Sequence, residues 1–244
     1  MVENTFEISR EKAEQSTINL SEDRKKRTEL FLKEQGIPFN PHLPPIQSET
    51  DVNMKTPEEI VKRAVCAFLT ANIGCDVAQS DNILDSVEFF YGILKKFELE
   101  NELTSDEKQL FNYDGSYKLD EKYIAEMTWR MERCMPLFWV CGFIDGELDY
   151  PDNASNTEFM IPIIMESKDF SSLMKKVTMK DSSEILDNAD VIYRMDWACV
   201  DARIKGMSSP ADLDAEVVVE QHKGFNWIIG AYASDDWDNI SADT

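Results

Sequence analysis

The chain has 244 residues, and 25 Lys and Arg stand against 47 Asp and Glu, for a formal charge of −22. With 43% hydrophobic and 10% aromatic residues there is material for a core, which excludes wholesale disorder. The surplus of acid repels phosphate backbones and anionic lipid, excluding nucleic acid and membrane surfaces as partners. No apolar run reaches the roughly 18 residues of a membrane helix, and the opening MVENTFEISREK lacks the apolar stretch of a secretory signal. Five cysteines at 66, 75, 134, 141 and 199 form no Cys-x-x-Cys and no even set. That points to free thiols in a reducing, cytoplasmic setting and to a soluble protein.

Helical periodicity dominates, and the elements follow in order. The polar stretch to Asn19 is expected to fray. A first helix is predicted from Ser21 to Gln35, stopped by Gly36; its basic cluster Arg24-Lys25-Lys26-Arg27 reads as a solvated face. Pro38, Pro41, Pro44 and Pro45 then impose an extended strap. Thr56-Pro57-Glu58-Glu59 is a capping box with Pro in the first turn, opening a helix to Gly74. Asp81 to Phe97 forms the next. Thr104 with Glu107 repeats the box before a short helix to Phe111, and Asp120 opens a long helix in which Pro136 is expected to cause a kink or a break. Residues 145–168 read as irregular. Asp181 opens a helix to Lys205, stopped by Gly206. Pro210 precedes a last helix from Asp212 to Ala233, followed by an acidic tail. The predicted architecture is all-α: a single compact multi-helix domain with an extended Pro-rich N-terminal strap. The arm, first helix and strap occupy 1–50, and the helical domain 51–244.

Motifs for phosphate loops, nucleophile elbows and helical zinc sites are absent. With only His42 and His222, no three-histidine metal site exists. Val219 stands where a Glu-x-x-His pair would need Glu. No cofactor and no metal are expected. On the helix after Asp181, the residues Leu186, Ala189, Tyr193, Trp197, Val200 and Ile204 form an apolar stripe, widened by Ile185, Ile192, Met195 and Cys199. Asp190–Arg194 and Asp201–Lys205 are i, i+4 pairs of the kind found on surfaces, while Asp196 and Arg203 lie nearer the apolar side. His222 shares a stripe with Val218, Phe225, Ile229 and Tyr232. It reads as a hydrogen-bonded core histidine, or alternatively as a site residue. The five tryptophans read mostly as core. A polar pocket formed by Arg130, Arg194, Asp201, Arg203 and His222 is the one constellation that sequence nominates.

The strings GIPFNPHLP, TPEEIVKRA, TWRMER, YRMDWACVDAR, PADLDAEVVVEQH, FNW and WDNISADT resemble the bacterial domain of unknown function 4272 family, over about residues 24 to 244. Pro136 and Gly224-Phe225 depart from the family's pattern. The resemblance implies an intracellular helical domain and carries over no activity, cofactor or catalytic residue. Two functions follow as expectations. The first is a non-enzymatic protein-binding or regulatory module for a basic protein partner, since complementary charge speeds encounter. The alternative is a ligand-binding or hydrolase-like helical domain using the polar pocket.

Overall fold

Most helices begin where a short polar side chain takes up orphan amides. In the computed structural model, which describes residues 20–79, 83–231 and 236–244, Asp120 accepts from the amides of Lys122 and Tyr123, Asp181 from that of Ser183, and Asp214 from those of Glu216 and Val217. The Thr104–Glu107 capping box is present in both directions. The helices are α1 (20–34), α2 (Pro57–Gln79), α3 (Ile83–Lys96), α4 (Ser105–Phe111), α5 (Glu121–Val140), α6 (Met160–Glu166), α7 (Phe170–Met174), α8 (Ser182–Ile204) and α9 (Ala215–Ile228). There is no strand among the described residues, and the chain is all-α. Gly36 ends α1 at φ 71° in a Schellman arrangement: its amide reaches the Lys33 carbonyl and that of Ile37 the Leu32 carbonyl.

The layer order is α3, α2, α5, α9, α8. Helix α5 packs on α2 by one side and on α9 by the other, with α3 against α2 and α8 against α9. Two glycines permit the close crossings. A Cβ at Gly74 would stand 2.8 Å from Thr128 Oγ1, so α2 and α5 touch nearly backbone to backbone there. This corrects the predicted stop: α2 runs on through Gly74 to Gln79. At Gly224 a Cβ would lie 2.5 Å from the Arg133 carbonyl oxygen and 3.1 Å from Pro136 Cγ. Pro136 removes one rung of the hydrogen-bond ladder, yet α5 is one continuous helix and not two. The proline ring is the surface on which α9 rests.

Other expectations shift. The expected start of α3 at Asp81 and the ends at Asn19 and Ala233 lie outside the described residues, as does Tyr232. Helix α6 interrupts the stretch 145–168 that reads as irregular. Helix α9 begins at Ala215, three residues after Asp212, because Ala211 and Asp212 adopt positive φ (51° and 60°) in a short 3-10 turn. Along α8 the buried face is the side of the predicted stripe that carries Ile185 and Cys199, with Leu186 and Ala189. Ile185, Ile192, Met195 and Cys199 are buried, whereas Trp197 is half-buried and Ile204 is 78% exposed. The basic cluster of α1 is only partly solvated, since Arg24 is 2% exposed and bridges Asp187 and Glu49. Residues 236–244 fold back: Trp237 and Ile240 are buried in the core, while Asp236 and Asp243 stay exposed. No helix among the described residues is long and apolar enough to cross a membrane.

Candidate functional site

Arg130, on α5, is fully buried between carboxylates from two other elements. Its Nη2 donates to Asp238 Oδ1 at 2.9 Å and Asp106 Oδ2 at 3.2 Å, and its Nη1 lies 3.4 Å from Glu107 Oε1. Glu107, also fully buried, accepts from Arg63 of α2. One turn along α5, Arg133 Nε donates to Glu220 at 2.7 Å and its Nη1 to the Trp237 carbonyl at 2.8 Å. Lys223 closes on Glu220 at 2.6 Å. The Trp237 ring receives both neighbouring guanidiniums, with Arg63 Cζ 5.3 Å and Arg133 Cζ 5.4 Å from its centroid. Arg63, Arg130, Arg133 and Lys223 thus face Asp106, Glu107, Glu220 and Asp238, and the charges cancel. Such a closed net specifies how α2, α4, α5, α9 and the 236–239 turn meet.

The titrations follow this packing. Burial pushes the Glu220 carboxyl up, but Arg133 and Lys223 outweigh it and hold the group below its ordinary value. Burial likewise opposes ionisation of Asp238, and the Thr104 hydroxyl and Arg130 overcome it, so this carboxyl too is lowered. Asp106 goes the other way, raised by burial and by the neighbouring Asp238 charge, with Arg130 only partly compensating. Burial pushes the Cys66 thiol up to about 12, and an unionised thiol is a poor nucleophile.

The remaining nominated residues have other partners. Arg194, fully buried, forms a two-pronged pair with Asp190 at 3.0 Å on both prongs and donates to the Pro44 carbonyl at 3.1 Å. The pair read as a surface i, i+4 contact is therefore internal, covered by the proline-rich segment. His222 Nδ1 meets Asp196 Oδ2 at 2.7 Å between α9 and α8, with both side chains buried and the Tyr193 ring 5.6 Å away. Asn226, one turn along, donates instead to the Ser241 carbonyl. Asp201 pairs with Lys205 at 2.6 Å at the periphery, and Arg203 is exposed. No hydrogen bond or ion pair joins any two of Arg130, Arg194, Asp201, Arg203 and His222 among the described residues. Sequence reasoning missed Arg63, Glu107, Asp238 and Arg24. Glu132, placed like Arg130 by sequence but left out of the nominated pocket, is buried and held by the Ser155 amide and hydroxyl and by Gln221. The strings TPEEIVKRA and WDNISADT contain two of these residues, but nothing local marks them as buried.

Concavity lies elsewhere. A cleft of about 690 Å³ opens where the C-terminal turn of α2 faces the start of α3 and the first half of α5. Val77, Ile83, Tyr113, Leu119, Ile124 and Trp129 form its walls, so Trp129 is half-buried in a cleft wall and not in the core. Two charged residues, Lys118 and Glu121, stand at its edge and pair with each other at 3.0 Å. The volume and lining fall within the range of ligand sites, which are concave and mainly apolar. No group of three or more His, Cys, Asp or Glu among the described residues is placed to hold a metal ion.

Comparison with known proteins gives a family. A family model described as a domain of unknown function (DUF4272) matches residues 24–240, so the chain belongs to that family. No curated protein and no solved structure matches it.

Proposed function

We propose that this DUF4272 chain is a binding domain that takes a small, largely apolar molecule into the cleft walled by Trp129. The observation that carries this reading is the division of labour between polar and apolar groups. Three polar residues that sequence nominates are spent on internal partners: Arg130 on Asp238, Arg194 on Asp190 and His222 on Asp196. The cleft presents apolar and aromatic surface with its two charges already paired, which disfavours a charged ligand and suits a neutral one with an aromatic or acyl body. In this reading Arg130, Arg194 and His222 hold the fold, Asp201 and Arg203 stay at the periphery, and the hydrolase-like alternative is left without a convergent pocket.

The test uses N-phenylnaphthylamine, a neutral probe that fluoresces in apolar surroundings. It should bind the protein and quench part of its tryptophan emission. Trp129→Ala should weaken binding by about tenfold, as expected for an aromatic anchor in a pocket. Ala125→Trp, at an exposed position of the same wall, should block the cleft without loss of fold. Undiminished binding in both variants would refute the assignment.

A further inference from the structure

We infer that a second groove, independent of the Trp129 cleft, docks a Lys/Arg-flanked apolar segment of a protein partner. It lies between α1, the loop 147–151 and the first half of α8, and encloses about 370 Å³. Its floor is apolar, with Leu148, Val191 and Met195 beneath and Phe31 of α1 at the side, 38% exposed. Four acidic residues line the groove: Glu147 and Asp149 from the loop, Glu184 and Asp187 from α8.

The two acidic pairs differ in a way that identifies the occupant. Glu184 and Asp187 have internal cations, namely Lys180 for the first and Arg24 and Arg27 for the second. Glu147 and Asp149 are exposed and make no salt bridge among the described residues. Their loop is nevertheless pinned at both ends. The Trp139 indole and Lys180 ammonium donate to the Gly146 carbonyl, and Asp214 donates its amide to that of Pro151. The Tyr150 hydroxyl reaches the Ala211 carbonyl at 2.7 Å. A loop pinned before binding lowers the ordering cost of association. Two carboxylates without a salt bridge among the described residues, carried on a pinned loop beside an apolar floor, complement a segment in which a large apolar side chain is flanked by cations, and the chain's charge of −22 steers such a segment inward.

The experiment titrates the full chain with a short labelled Lys/Leu peptide, against Lys/Ser and Glu/Leu peptides of the same pattern, by fluorescence anisotropy across a range of salt. The Lys/Leu peptide should bind with an affinity that falls steeply as salt rises. Glu147→Lys with Asp149→Lys should weaken it about tenfold or more, and Leu148→Ser should weaken it as well. Because both acidic side chains are exposed, the thermal melt of the double variant should match the parent, so lost binding is not lost fold. Glu121→Lys, beside the other cleft, makes the same change of charge as either loop substitution alone and should leave binding within about twofold, whereas Glu147→Lys alone should weaken it severalfold. Equal loss in Glu121→Lys, or equal binding of the Lys/Ser peptide, would show attraction to bulk charge and overturn the inference. Binding of the Glu/Leu peptide would overturn it too. So would self-association of the chain, abolished by the same loop substitutions, that the Lys/Leu peptide fails to compete away.

Discussion

Alanine at Gly224 and at Gly92 should move stability in opposite directions, although both glycines lie within helices. At Gly92, in α3, an added Cβ meets nothing within 4 Å. Alanine there gains helix propensity alone, about 1 kcal/mol. At Gly224, in α9, the same propensity gain meets a Cβ position 2.5 Å from the Arg133 carbonyl oxygen and 3.1 Å from Pro136 Cγ. The oxygen belongs to the backbone of α5 and the ring is rigid, so neither yields as a flexible side chain would. Helices α5 and α9 must part by several tenths of an ångström, and with them the Arg133–Glu220 pair that spans the same interface. Overpacking of this kind costs about 1–3 kcal/mol, and the backbone contact puts Gly224 at the upper end. Set against the propensity gain, the net loss is about 2 kcal/mol. For a domain of this size that is a fall in Tm of about 4–8 °C, whereas Gly92→Ala should raise it by about 2–4 °C. Calorimetry or denaturant melts of the two variants decide the matter. A Gly224→Ala protein as stable as the parent would mean that the two helices do not meet as described.

Two further predictions concern the buried charges. Arg194→Met and Asp190→Leu should each cost about 3–5 kcal/mol in denaturant melts, since each strands its partner, while the double variant should recover most of the loss; simple addition of the two single losses would argue against a closed pair. In acid, Glu220 and Asp238 are lowered in the fold. The stability they supply is complete above the ordinary carboxylate values and is lost as pH falls through their folded ones. Asp106, raised, returns a part of it as pH falls from its folded value toward its unfolded one. Asp238→Asn should therefore lower stability at neutral pH and flatten the acid loss, and a parent-like acid profile in that variant would contradict the network.

The fold was legible where the decisive interactions are local. Thr104 and Glu107 are three residues apart, Asp120 and Asp181 cap amides two residues on, and Gly36 supplies a positive φ at its own position. Each is a short-range pattern that a sequence displays directly. Asp190 and Arg194 were legible as a pair by spacing, but their burial was not, because the Arg194 cover comes from Pro44, 150 positions away. Arg24 looked like one of four solvated cations, and its partner Asp187 is 163 positions distant. Gly74 reads as a stop in one dimension and proves to be a crossing in three. The cleft was illegible for the same reason: Val77, Ile83 and Trp129 look like core residues until the helices are placed and each is left only half-buried.

The 236–239 turn has a consequence for synthesis of the chain. Arg130 reaches Asp238 across 108 positions, and Arg133 reaches the Trp237 carbonyl across 104. Helices α2, α4 and α5 leave the ribosome long before either partner exists. A nascent chain that collapsed fully at that stage would seal Arg130 away with too little opposing charge, at a desolvation cost of several kcal/mol. The final close packing of α5 is thereby made to wait for translation of residues 237 and 238, so a message cut short upstream of them yields a polypeptide that cannot close over its own arginines and stays open to proteolysis.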